Sequence, residues 1–174
     1  MARLLTPPCD VIIRKHEVFL DERGSWSRFF DSELDLGSVE LGFSQISISE
    51  NPQKGTLRGL HFQVSPSSEF KCVSCIEGRI FDVIVNIQPE SGLYLDWYGL
   101  ELSQENELTI VIPPGYAHGF ITLEKNSKVL YAMDKPFDAS AYFGLAWNDP
   151  KIGIAWPMNP LLISSKDSTL SFLT

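Results

Sequence analysis

The sequence predicts an all-β protein, a barrel or two-sheet sandwich carrying one or two short helices. Two observations carry this. Period-two alternation with β-branched and aromatic residues recurs at 43–49, 56–64, 70–87, 96–103 and 107–112, as strands with a buried face require. Turn signals then separate these runs at short intervals, the spacing of a closed or double-layered β architecture rather than of alternating β and α units. Glu77-Gly78 interrupts one long apolar run and Lys125-Asn126-Ser127 another, which predicts two hairpins with polar turns. Residues 31–36 read as a short helix, and 164–173 as another with Ser or Asp near its start.

At 174 residues and 44% hydrophobic, the chain can bury one substantial core, so residues 1–174 are expected to form a single domain. No repeat, low-complexity tract or linker divides it. Fourteen Lys and Arg against 22 Asp and Glu leave a formal charge of −8, which argues against a nucleic-acid surface or an anionic membrane face. Any phosphate must therefore be met by a few placed cations. The opening MARLLTPPCDVII has one Arg and a short apolar stretch broken by Pro7 and Pro8, unlike a secretory leader or a membrane span, so a soluble cytoplasmic protein is expected. Cys9, Cys72 and Cys75 are too few and odd in number for a disulfide scaffold. Cys72 and Cys75 have redox or zinc-like spacing, but residues three apart in a strand point to opposite faces, so buried packing is expected of them.

Two of the three histidines lie in glycine-flanked β contexts, Arg58-Gly-Leu-His61-Phe-Gln63 and Pro113-Pro-Gly-Tyr-Ala-His118-Gly-Phe120. A lone strand histidine is more often a hydrogen-bonded core residue than a functional one; two such segments in a small β protein shift that balance. The second segment has the glycine that a tight strand-to-strand turn needs, and delivers a histidine onto the next strand. It resembles the second sequence motif of the cupin family, which implies a jelly roll. Cupins often hold a divalent ion through His-x-His and Glu in the first motif and His in the second. Here the first motif reads His61-Phe-Gln63, Glu69 is out of step, and His16 is remote, so no bound metal is expected.

More specific blocks follow in order: Asp21-Glu-Arg-Gly24, Gly55-Thr-Leu-Arg-Gly-Leu-His-Phe-Gln63, Lys71, Gly78-Arg-Ile-Phe-Asp82, Ile112-Pro-Pro-Gly-Tyr-Ala-His-Gly-Phe120, Trp147-Asn-Asp-Pro150, Ile152-Gly-Ile154, Trp156-Pro157 and Ser165-Lys-Asp167. Together they resemble the dTDP-4-dehydrorhamnose 3,5-epimerase family from about residue 17 to 170. The resemblance implies cofactor-free epimerisation at C3, C5 or both of a nucleotide-diphospho-4-keto-6-deoxy sugar. It implies His61 as the base with Asp167 as its carboxylate partner, Lys71 at the keto oxygen, and Tyr131 as the acid on the opposite face. Read without it, Asp167 is a helix cap, Tyr131 a core aromatic and Lys71 an exposed strand residue. Arg23 and Arg58 fall on positions facing the diphosphate, with His118 and Asp82 in the pocket wall or a supporting network. A homodimer is implied, with the first 30 or so residues reaching into the neighbouring subunit's site. Arg58 and His61 are three apart, opposite faces in a regular strand, and Gly59 offers a bulge that reconciles them.

The departures from the family gather at nucleotide recognition. Where the family usually has a Tyr-Tyr pair the aligned stretch reads Asp134-Lys-Pro136-Phe137, its Gly-x-Phe-x-Glu is Gly24-Ser-Trp26-Ser-Arg28, and its Gln-x-Asn is Gln45-Ile-Ser47. Such changes alter discrimination by about 1 kcal/mol or more each, which leaves dTDP, CDP and GDP, and hexose or heptose, open. Two other classes compete: a metal-dependent cupin enzyme and a non-catalytic sugar-binding sandwich. Convergence of His61, Asp167, Tyr131 and Lys71 on one pocket separates catalysis from the last of these.

Overall fold

The structure, a computed structural model, describes residues 2–30 and 42–174. The chain begins with β1 (Ile12–Lys15), β2 (Glu17–Asp21), β3 (Gly24–Arg28) and β4 (Gln45–Asn51). It continues through β5 (Thr56–Gln63), β6 (Lys71–Glu77), β7 (Arg79–Asn86), β8 (Trp97–Ser103) and β9 (Leu108–Ile112). The remainder is β10 (Tyr116–Thr122), β11 (Ser127–Met133), β12 (Tyr142–Gly144), β13 (Leu162–Ile163) and the single helical turn α1 (Ser165–Ser168). One sheet has the order β1-β9-β6-β11-β4; the other runs β12-β5-β10-β7-β8, with β13 parallel to β5. The two sheets form the cupin jelly roll. No helix among the described residues is long and apolar enough to cross a membrane.

The core between the sheets takes Ile80 and Ile84 from β7, Tyr116 and Phe120 from β10, and Val73, Ile110 and Val129 from the facing sheet. A second core lies on the other side of the β7–β10 sheet, where Phe81, Val83, Val85, Ala117 and Ile121 pack with Leu145 and Ile152. The run Ile80-Phe-Asp-Val-Ile-Val85 is therefore buried on both faces, which is why it reads as nearly continuous apolar sequence with one acid in it.

Both predicted hairpins are overturned. Glu77-Gly78 joins β6 to β7, and 123–126 join β10 to β11, and in each case the two strands belong to different sheets. Two apolar runs separated by a polar turn look alike in sequence whether they pair side by side or turn a corner between layers; the long-range pairing of β6 with β9 and of β7 with β10 decides it. The corners meet, since a Cβ on Gly78, at φ +73°, would lie 2.6 Å from Ser127 Oγ. The predicted helix over 164–173 shrinks to α1, capped by Ser164 Oγ accepting from the Asp167 N–H at 3.0 Å. The predicted helix at 31–36 lies outside the described residues. Cys75 faces the inner core and Cys72 the opposite side of β6; burial raises their thiols to about 11 and about 12, leaving them unreactive.

The bulge expected at Gly59 exists. His61 pairs with His118 and Arg58 with Phe120, so four residues of β5 oppose three of β10. Arg58 and His61 consequently share one side while Leu57 and Leu60 share the other, in the second core. Gly59 has φ +108°, and a Cβ there would sit 2.7 Å from Gly119 Cα and His118 O, both backbone. Gly59→Ala is expected to destabilise the fold by roughly 2–4 kcal/mol, read from denaturant midpoints; a loss under about 1 kcal/mol would mean that the bulge relaxes easily.

Candidate active site

The inner face of the jelly roll opens into a cavity of about 560 Å³. Each neighbouring element supplies part of its lining: β5 brings Arg58 and His61, β6 Lys71, β10 His118, β11 Tyr131, β4 Gln45, and the C-terminal turn Lys166 and Asp167. The four residues on which catalysis was expected, His61, Asp167, Tyr131 and Lys71, all line this one space. Phe137 joins them near its mouth, 57% exposed.

Asp167 is brought to β5 from 106 residues away, and its Oδ1 lies 2.7 Å from His61 Nε2. Its Oδ2 accepts from the Gly59 N–H at 3.2 Å, so the bulge glycine anchors the carboxylate as well as turning the strand. Burial pushes this carboxyl up, but the hydrogen bond and charge of His61, the Gly59 N–H and the Ser164 bond together leave it below its ordinary value. A carboxylate only accepts, so Nε2 is the ring nitrogen that donates in this pair, and Nδ1 is the one not engaged by Asp167. The dyad is seated by close packing, since Leu170 fills the space where a Cβ on Gly144 would stand, at 2.8 Å. The Tyr142 ring lies 5.1 Å from the imidazole, with Lys166 Nζ 4.2 Å from the Tyr142 centroid and Phe137 edge-on at 5.2 Å.

The Tyr131 hydroxyl is 3.4 Å from Ser49 Oγ. Burial above all lifts this phenol above its ordinary value, so it holds its proton at neutral pH and has one to give. Its ring meets that of His118 edge-on at 6.4 Å. His118 Nε2 is 2.7 Å from Asp82 Oδ2, and Asp82 is wholly buried behind it, with Oδ1 unpartnered. Asp82 thus supports the wall without lining it. Arg58 donates from Nε to Asn51 Oδ1 at 2.8 Å, which fixes its stem. Lys71 Nζ sits 3.3 Å from Glu69 Oε1, both side chains nearly buried. Among the described residues, Arg58, Lys71, Lys135 and Lys166 outnumber Glu69 and Asp167 in the lining, so a protein of charge −8 still presents a cationic lining there.

Other expected contacts are differently placed. Gln45 lines the cavity, but its Oε1 accepts from the Phe137 N–H at 3.0 Å and its Nε2 donates to Ser47 Oγ at 3.1 Å, so both residues brace the Phe137 segment. Arg23, Trp26 and Arg28 lie on the β2–β3 hairpin and do not line the cavity of their own chain. Arg23 is ion-paired with Asp21, and Arg28 with Glu17. His16, the third histidine, is buried against Phe29 and bonded to Thr109 Oγ1, away from the cavity. The sequence motifs do not single out Tyr142, Lys135 or Lys166 as cavity residues, and they offer Glu69 only as a metal ligand. Tyr142 had no local signal, because what matters is its register opposite Gln63 on β5.

The depressed Asp167 carboxyl has a sign that can be tested. The stability it supplies is present above about pH 4 and is lost as pH falls through its folded-state value. Asp167→Asn should therefore flatten the acid limb of the stability profile below about pH 4; an unchanged acid limb would mean that the dyad contributes nothing to folding.

Known proteins resemble this chain in sequence and in fold. A sequence profile of the family described as dTDP-4-dehydrorhamnose 3,5-epimerase matches residues 6–174. The chain is 41% identical over 153 residues to the dTDP-4-dehydrorhamnose 3,5-epimerase of Sinorhizobium fredii, covering 87% of this chain and 78% of the relative. It is 38% identical to that of Salmonella typhimurium, covering 94% and 91%. A crystal structure of dTDP-4-dehydrorhamnose 3,5-epimerase from Bacillus anthracis, with TDP and PPi bound, superposes with a TM-score of 0.90 at 34% identity, covering 94% of each chain. The dTDP-6-deoxy-D-glucose-3,5-epimerase of Legionella pneumophila, in complex with dTDP-4-keto-L-rhamnose, gives 0.90 at 32%, covering 96% of this chain and 89% of that one. With the fold, the cavity and these relatives in agreement, the chain belongs to the dTDP-4-dehydrorhamnose 3,5-epimerase family.

Proposed function

We propose that the protein epimerises C3, C5 or both of a nucleotide-diphospho-4-keto-6-deoxy sugar, without a cofactor, in deoxysugar precursor synthesis. The observation that carries this is a partly buried His–Asp pair opening onto the same cavity as a neutral phenol and a lysine ammonium. His61 Nδ1 removes the proton next to the ketone, and Asp167 stabilises the imidazolium that forms. Lys71 meets the charge growing on the keto oxygen. Tyr131 delivers a proton to the opposite face and recovers one from water. Arg58 faces the diphosphate, and His118, oriented by Asp82, lines the sugar subsite.

Magnitudes require the lysine. If the carbon acid is roughly twelve pKa units weaker than imidazolium, forming the enolate costs on the order of 16 kcal/mol. That allows only about ten events per second before any intrinsic barrier. Stabilising the oxyanion by a few kcal/mol restores useful turnover.

The protein works as a homodimer in this reading, its N-terminal segment crossing to the partner. Two features support it: the β2–β3 hairpin pairs with no other strand among the described residues, and it holds Phe19, Leu20 and Trp26 more than half exposed. Crossing would carry Arg23, Trp26 and Arg28 to the nucleotide end of the other cavity. Three free thiols suit the reducing cytoplasm. The relatives are named for dTDP sugars, and dTDP is the nucleotide proposed; Phe137, Arg28 and Ser47 make the CDP and GDP sugars the comparisons to run.

In heavy water, the native enzyme should place deuterium at C3, C5 or both of the 4-keto sugar. His61→Asn should stop exchange by at least about a thousandfold while the fold persists, and near-native exchange would remove His61 from its role. Tyr131→Phe should still exchange but invert poorly; unimpaired inversion would move the acid elsewhere. Mixing Arg23→Ala chains with His61→Asn chains should restore about a quarter of native turnover if the site spans two subunits, and no recovery would confine the site to one chain.

A further inference from the structure

Among the described residues, Glu69 is the one carboxylate in the cavity that the proposed mechanism leaves without a task, and its placement is built rather than incidental. Its Oε2 accepts from Gln63 Nε2 at 2.8 Å. Gln63 is in turn fixed, donating to Ser67 O at 2.9 Å and accepting from the Asp138 N–H at 2.6 Å. Oε1 is left toward Lys71 Nζ at 3.3 Å, and only 9% of the Glu69 side chain is exposed. Pairing Lys71 cannot be its whole purpose. A carboxylate weakens the pull of that ammonium on an oxyanion and repels an anionic substrate, so its presence is unfavourable unless the substrate uses it. Gln at this position would accept from Gln63 without that charge.

We infer that Glu69 accepts a hydrogen bond from the hydroxyl vicinal to the ketone, making the Lys71–Glu69 pair a recognition element for an α-hydroxy ketone; this rests on the epimerase reading. A ketone oxygen is an acceptor, and a hydroxyl on the adjacent carbon brings a donor within about 3 Å of it, a hydrogen-bond spacing. An ammonium and a carboxylate 3.3 Å apart present the complementary donor and acceptor at matching separation. Lys71 has three N–H bonds and Glu69 about four acceptor directions, so each can serve the substrate without releasing the other. The hydroxyl thus offsets the charge that Glu69 brings into the cavity, and a sugar lacking it leaves that charge unanswered.

The test compares two nucleotide sugars, the 4-keto-6-deoxy compound and its 4-keto-3,6-dideoxy analogue, by deuterium exchange at C5, a position both retain. The native enzyme should favour the hydroxylated sugar by roughly tenfold to a hundredfold in kcat/KM. Glu69→Ala should bring that ratio close to one, and Glu69→Gln, which keeps an acceptor, should fall between. Equal native rates on the two sugars overturn the inference whether or not the variants fold, as does a ratio that Glu69→Ala leaves unchanged. Where the native enzyme exchanges C3 alone, the same ratio is read at C3, which carries hydrogen in both sugars; absence of exchange at both C3 and C5 of the hydroxylated sugar would instead sink the epimerase reading itself.

Discussion

The bond between His61 and Asp167 is the constraint around which the remaining geometry is arranged. It joins the middle of β5 to a four-residue turn near the C-terminus, and neither end is positioned by local propensity alone. His61 reaches the cavity because the Gly59 bulge shifts the phase of the strand by one residue. Asp167 reaches His61 because Ser164 caps the turn, the Gly59 N–H holds the second oxygen, and the bare Gly144 leaves room for Leu170. One glycine thus sets the direction of the base and the seat of its partner together.

Strands buried on both faces explain why such a small protein can hold a polar cavity in its interior. The second core, closed by the segment carrying Leu145, Ile152 and Trp156, takes the outer faces of β5, β7 and β10. Those strands are then anchored by apolar burial on one side while their inner faces present Arg58, His61, Asp82 and His118. Polar groups on the inner face survive there because most have fixed partners: Asp82 for His118, Asn51 for Arg58, Asp167 for His61. Rigid support of this kind is what proton transfer at carbon needs, since the base must be held within a fraction of an ångström of its productive position.

Electrostatics divide the cavity by function. The dyad, the neutral phenol of Tyr131 and the Lys71–Glu69 pair line the cavity together, while Lys135 and the exposed Phe137 stand toward the mouth. Lys166 does double service by covering the face of Tyr142, whose ring neighbours the imidazole; burial first, then the charges of Asp167 and Glu69, keep the Tyr142 phenol protonated. A surface of net negative charge with a cationic interior favours one kind of anion, a small one able to enter.

By itself the sequence determined the strand runs, the β class, the two histidine motifs and, through the ordered blocks from Asp21 to Asp167, the family. These are legible because side-chain alternation, turn glycines and short motifs are local properties of neighbouring residues. Even the Gly59 bulge was foreseeable, because Arg58 and His61 could not otherwise share a face. Only the tertiary structure decided that the turns at Gly78 and Asn126 cross between sheets, that a single helical turn presents Asp167, and that Glu69 and Tyr142 face the same cavity as His61. Each of those depends on pairing between strands far apart in sequence, and backbone hydrogen bonds carry no record of it in the residues they join.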